Sequence, residues 1–329
     1  MRWTPESVLR WSEHAPDSPL YFHLSREIAA DADLMRVLNR IDHSPPLNIL
    51  FAAVQLILAR EPGDPLAAHY ASLVADPLPP EGALPHFRRV VLDHEEEIGH
   101  IGVTRYTQTN ESGRASVLLP GVWAGPHDRF HLIDVGASAG LNLALDRYRY
   151  RWGTVEWGQS PLLLDCESRG IDPVPRDISV GTRVGLDLHP VDPGDPDDRA
   201  WLEALVWPEA TARLQRLRTA LDLVQEVPIE MVEGDAVDTL PGVLDSLPGE
   251  DPAVVTDSFT VNQFSRSQTE AFEVAVAEAR MNRPIHRVTF GLIPGRADAA
   301  GLSVDDGSGW RHIGEGHHHG GWLNLYVLP

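Results

Sequence analysis

Apolar residues recur at helical spacing in six segments of the first third of the chain: Pro5 to Trp11, Leu20 to Ala32, Asp33 to Ile41, Leu47 to Arg60, Leu66 to Val74 and Leu84 to His94. Proline-rich breaks such as Ser44-Pro-Pro46 and Pro77-Leu-Pro-Pro80 separate them. Leu47 to Leu58 is apolar nearly all round yet too short to cross a bilayer, which predicts a helix buried inside a helical cap. From residue 121 strand-like runs alternate with helical ones, the sign of a doubly wound sheet. Strands are expected at Phe130 to Val135, Arg183 to Leu188, Ile229 to Ala236 with its exit turn, Ala253 to Phe259 and Ile285 to Leu292. Helices are expected at Gly140 to Arg149, Asp197 to Leu205, Pro208 to Val224, Val237 to Leu247 and Arg266 to Met281. Tyr150 to Gly181 departs from that spacing and reads as an inserted hairpin and loop, while Trp310 to Ile313 and Trp322 to Leu328 read as a terminal hairpin. The expected architecture is α/β: a doubly wound Rossmann-like sheet over residues 121–329, with an insertion at about 150–181, behind a helical N-terminal cap of residues 1–120.

The stretch Phe130-His-Leu-Ile-Asp-Val-Gly-Ala-Ser-Ala-Gly140 places a buried strand directly before a tight glycine turn. Gly136 suits positive φ at the strand end, Ala137 to Ala139 add little bulk, and Gly140 permits close approach of a ligand. The turn and first helical N–H groups are then expected to face that ligand. Ser138 stands where the dinucleotide fingerprint G-x-G-x-x-G has its middle glycine, so an NAD pyrophosphate is poorly served.

Asp134-x-Gly136-x-x-x-Gly140 resembles motif I of the class I S-adenosylmethionine-dependent methyltransferases. The chain also resembles the uncharacterised bacterial and archaeal DUF2332 family, through Gln108 to Gly121, Asp134 to Tyr150, Asp187-Leu-His-Pro-Val-Asp192 and Trp201 to Glu209. The methyltransferase resemblance implies S-adenosylmethionine as cofactor and a small-molecule substrate. It implies cofactor contacts from Asp134, Gly136, Ala137, Ser138, Gly140 and Asn142, a ribose carboxylate at Asp187, and adenine contacts from Asp235 and Ala236. Asp165 is the rival for the ribose, being closer to the usual spacing of about 20 residues from the loop. Capping aspartates are the plain alternative for Asp187 and Asp235. No catalytic residue is named, because methyl transfer rests on positioning and needs no dedicated acid or base.

Composition narrows the partners. All 27 basic residues are arginine, against 48 acidic ones, for a formal charge of −21. The absence of lysine excludes a Schiff-base or Walker lysine, and the acidity argues against nucleic acid. The single Cys166 excludes an intramolecular disulfide and any cysteine-based zinc site. No apolar run reaches the roughly 18 residues of a membrane span, and Met1 to Thr4 lacks a following apolar core. A cytoplasmic protein with no membrane partner is expected.

Four further features carry possible chemistry. Gln108-Thr-Asn110-Glu111-Ser-Gly113-Arg114 concentrates amide, carboxylate and guanidinium groups, with Asn110 and Arg114 as substrate or cofactor-tail contacts, or else as a capping segment. Asp257 and Ser258 at the fourth strand tip, with Asn262 and Gln263 beyond, are substrate candidates. His317 to His319 read as a hairpin loop and not a metal site, and His94 to Glu97 as a solvated helix face. Finally, Gly136-Ala-Ser138-Ala-Gly140 also fits a nucleophile elbow, which leaves a serine hydrolase using Ser138 with Asp257 or His286, or a non-catalytic nucleoside-binding protein, as alternatives.

Overall fold

The computed structural model describes residues 2–327 except 14 and 16. It divides into two compact units, Met1–Thr109 with Gly194–Arg218, and Asn110–Pro193 with Thr219–Pro329. The first unit opens with helices α1 (Pro5–Ser12), α2 (Pro19–Ala30), α3 (Ala32–Leu38), α4 (Pro46–Arg60), α5 (Leu84–Asp93) and α6 (Glu95–Thr104). Their starts follow capping chemistry: the Thr4 side chain accepts from the Ser7 N–H with Pro5 at the first helical position, and Asp31 accepts from Asp33 and Leu34. Leu66 to Val74, expected as a helix, forms only a 3₁₀ turn at Pro65–His69. The apolar α4 is buried along nearly its whole length, with Phe51 stacked on Tyr21 at 4.1 Å.

The second unit begins with α7 (Ala115–Trp123) and β1 (Arg129–Val135), followed by β2 (Arg149–Trp152), β3 (Val155–Trp157), β4 (Leu163–Ser168) and β5 (Ser179–Asp187). The chain then contributes α8 (Pro196–Ala204) to the first unit, and the division falls within α9 (Thr211–Val224). Long-range polar contacts hold this segment in the first unit. Gln55 Nε2 donates to the Ala204 and Val206 carbonyls, each at 3.0 Å, and the Glu209 carboxylate accepts from Ser18 Oγ at 2.6 Å and the Leu20 N–H at 3.0 Å. The units therefore do not follow a single cut near residue 120.

The remaining elements are β6 (Glu230–Glu233), α10 (Ala236–Ser246), β7 (Ala253–Ser258), α11 (Arg266–Ala279), β8 (Ile285–Ile293), β9 (Arg296–Asp305), β10 (Arg311–Gly316) and β11 (Trp322–Leu325). Leu328 of the expected last strand lies outside the described residues. All the strands join one mixed sheet in the order β3-β2-β4-β11-β10-β9-β8-β7-β1-β5-β6. The five from β8 to β6 are parallel, and β8, β9, β10 and β11 pair antiparallel. The connection order reverses at β1, since the chain goes outward to β5 and β6 and then returns to β7 on the other side. One face, carrying Ile133, Val135, Val184, Leu186 and Val255, packs under α10 and α11. On the other face α7 lies against β8 and β9, so close that a Cβ on Gly121 would fall 2.5 Å from Val288 Cγ1.

The helix expected at Gly140 to Arg149 is a 3₁₀ segment, Leu141–Arg147, broken by non-helical geometry at Ala144. Its carbonyls are taken by side chains: Tyr148 Oη donates to the Leu141 carbonyl at 2.8 Å, Tyr150 Oη to that of Leu145, and Arg183 to that of Leu143. Strand β9 has no counterpart among the expected strands, because its first half, up to Gly301, holds no β-branched residue.

Candidate functional site

Strand β1 ends in a loop whose backbone is bent three times into left-handed geometry, at Gly136 (φ 79°), Ser138 (φ 50°) and Gly140 (φ 77°). Gly136 is obligatory: a Cβ there would lie 2.0 Å from Thr260 Oγ1. The loop amides are all engaged within the protein. Gly136 and Ala137 N–H donate to the Leu186 carbonyl, Ser138 N–H to Asp187 Oδ2 at 2.8 Å, Ala139 N–H to Asn110 Oδ1 at 3.2 Å, and Gly140 N–H to the Ala137 carbonyl. The expectation that these groups face a ligand is therefore replaced by a loop braced from within, its space beside Gly136 filled by Thr260.

Three carboxyl groups converge on this loop. Asp134 is buried at the end of β1, accepting from Thr256 Oγ1 at 2.7 Å and Asn142 Nδ2 at 3.2 Å. Burial pushes its carboxyl up to about 7, with the hydrogen bonds opposing and the charges of Asp257 and Asp187 adding to the rise. Asp187 ends β5, and its second oxygen accepts from the His189 N–H at 2.8 Å. Asp257, buried near the end of β7, is likewise raised to about 6 by burial and accepts from the Val261 N–H at 3.3 Å.

Asn110, itself at φ 38°, ties its segment to the loop by donating to Ser138 Oγ at 2.7 Å. Arg114 reaches the end of β7: Nη1 donates to Ser258 Oγ and Nε to the His318 carbonyl, each at 3.1 Å, with the guanidinium 4.4 Å above the Phe259 ring. Phe259 is held at φ 65°, an uncommon conformation for so bulky a residue. Asn110, Ser138 and Phe259 are the non-glycine residues at positive φ among those described, and all three lie around the ends of β1 and β7.

The other candidates disperse. Asp235 caps α10, accepting from the Val237 N–H at 2.9 Å and from Gln268 Nε2 at 3.0 Å, and Ala236 is buried beside it. Asn262 Oδ1 accepts from the Leu292 N–H, and Gln263 donates to the Phe259 carbonyl. Asp165, on β4, pairs with Arg151 of β2, and five strands separate β4 from β1, roughly 29 Å of sheet. His286 sits on β8 opposite Val254, its Nε2 against the Gly121 carbonyl at 2.8 Å, whereas Ser138 Oγ accepts from Asn110 Nδ2. The Cys166 thiol is buried and pushed up to about 12. Thr256, Thr260, Phe259 and His318 join the site without a signal in the sequence, since each acts through a partner distant in the chain.

No helix is long and apolar enough to cross a membrane, and no group of three or more His, Cys, Asp or Glu side chains is placed to hold a metal, among the described residues. A family model described as an uncharacterized protein conserved in bacteria (DUF2332) matches residues 7–324. No curated protein and no solved structure matches the chain.

Proposed function

The chain belongs to the DUF2332 family, and we propose that it is a methyltransferase that binds S-adenosylmethionine on a doubly wound, Rossmann-like sheet and acts on a small molecule. The observation that carries this reading is the gathering of strained non-glycine backbone at the ends of β1 and β7, where the order of the parallel strands reverses. Ligands of open α/β sheets bind at such a switch point, and strain of this kind concentrates at functional sites.

The residues fit a cofactor held by carboxylates more than by turn amides. Each carboxylate oxygen accepts at two positions, so Asp187 and Asp235 keep capacity for ribose hydroxyls and an adenine amino group alongside their bonds to the chain. Asp187 also braces Ser138, which couples ribose recognition to the shape of the glycine loop. Asp187 and Asp257 supply a field favourable to a cation, beside a buried Asp134 that holds its proton up to about 7, and the bound cofactor would supply a methyl group on a sulfonium. The chain's part is then to orient the acceptor in line and to exclude water.

Calorimetric titration with S-adenosylmethionine and S-adenosylhomocysteine tests the proposal. Micromolar binding is expected, weakened about tenfold or more in Asp187→Asn and in Asp235→Asn. Absence of heat with both ligands, for a protein shown by circular dichroism to be folded, overturns it. The serine hydrolase alternative would then be tested by Ser138→Ala in an ester-hydrolysis assay.

A further inference from the structure

Resting on that reading, we infer that the methyl acceptor is a neutral molecule bearing a hydroxyl on an apolar body, and that the hydroxyl pairs with His318 Nε2. His318 lies in the turn between β10 and β11. Because β8 runs parallel to β7, and β9 and β10 follow in antiparallel pairs, this turn returns to the sheet edge where β7 ends. The proposed cofactor contacts lie over β1, β5 and β6, which leaves the β7 side of the switch point for the second reactant.

The turn is held firmly at that edge. The His318 carbonyl accepts from Arg114 Nε at 3.1 Å, the Gly320 carbonyl accepts from Ser116 Oγ at 3.2 Å, and the Gly320 N–H donates to the His317 carbonyl at 2.8 Å. A Cβ on Gly113 would strike the His319 carbonyl and one on Gly320 the Gly113 carbonyl, so the two backbones meet where only glycine fits. The His318 ring stands edge-on to that of Phe259, with centroids 5.5 Å apart and planes at 86°.

In this fixed setting Nε2 is buried and has no hydrogen-bond partner among the described residues. Buried polar atoms are paired as a rule, so a nitrogen left open beside a switch point suits a polar group of a ligand. A hydroxyl both donates and accepts, and it satisfies an imidazole nitrogen in either tautomer, which a carboxylate or an ammonium cannot do. A hydroxyl that donates there also has its proton drawn off the oxygen that must become nucleophilic, a task imidazole performs well. The Phe259 ring, and Leu292 at the end of the neighbouring β8, which is 56% exposed, offer apolar surface to the rest of the molecule.

Phenol and its isostere toluene, which has a methyl in place of the hydroxyl, provide the test. Both are titrated into the full chain carrying histidine labelled at its ring nitrogens, with and without S-adenosylhomocysteine. The His318 nitrogen signals, assigned by their loss in His318→Gln, should move with phenol and not with toluene. In His318→Phe the dissociation constant of phenol should rise about three- to tenfold, the loss of one hydrogen bond, with affinity for S-adenosylhomocysteine unchanged. His318→Asn repeats the comparison if circular dichroism shows His318→Phe to be misfolded. Equal movement with both compounds, or equal phenol affinity in wild type and variant, would overturn the inference. S-Adenosylhomocysteine binding without a phenol response would sink the inference and leave the methyltransferase reading standing. A phenol-specific response without any S-adenosylhomocysteine binding would do the reverse, since the hydroxyl site would stand alone.

Discussion

At the carboxyl ends of β1 and β7 the backbone takes unusual conformations and carboxyl groups are buried, whereas the amino ends of β1, β5 and β6 open on a cleft of about 720 Å³. Arg129, His131, Thr182, Arg183, Glu230 and Asp251 line that cleft. Its polar groups are arranged for stability. His131 Nε2 lies 3.0 Å from the Pro248 carbonyl and its Nδ1 accepts from the Thr182 N–H, Arg183 is paired with Asp146, and Arg129 with Asp251. The same strands thus offer room at one end and stored strain at the other. Volume alone is a poor guide to chemistry, because satisfied polar groups have little to gain from a ligand while strained backbone persists only where its surroundings enforce it.

The comparison breaks most visibly at glycines. Gly136→Ala combines a left-handed φ with a 2.0 Å approach to Thr260 and should cost about 3–5 kcal/mol, or prevent folding. Gly181→Ala at the amino end meets His131 at 3.1 Å without that backbone demand and should cost under about 1 kcal/mol. Urea denaturation measures both, and equal costs would erase the distinction.

The next effect is in the pH dependence of stability. Between the ordinary aspartate value of 3.8 and about 7, native Asp134 keeps a proton that the unfolded chain has released. Stability from this group therefore falls as pH rises through that window and is level above it. Asp134→Asn should flatten that fall, gaining roughly 1–3 kcal/mol relative to wild type between pH 4 and pH 8. At the amino end of the same strand the sign reverses. Burial lowers His131, so below its ordinary value of 6.5 the unfolded chain binds a proton that the native ring refuses, and stability falls as pH drops. His131→Gln should remove that smaller acid-side loss, and melting curves from pH 4 to 8 resolve the two.

Local patterns carried much of this molecule into the sequence. The β1 strand and its glycine turn, the parallel strands after it, and the capping role open to Asp235 follow from hydrophobic spacing and short-range hydrogen bonding. What escaped depends on distant partners. The segment after Gly140 is 3₁₀ because Arg183, some forty positions on, takes the Leu143 carbonyl. Residues 194–218 join the first unit through Gln55 and Ser18. Asp134 becomes a buried acid held by Thr256 only when β7 pairs with β1. Spacing along the chain encodes none of these contacts.

Hydrogen exchange with and without S-adenosylhomocysteine, resolved by peptide, tests the central claim most directly. The account predicts slower exchange in peptides covering 108–116, 134–142, 186–190, 234–240 and 257–263, and no change at 129–131, 181–183 or 248–251. Protection confined to the amino-end peptides, or none at saturating ligand, would contradict it.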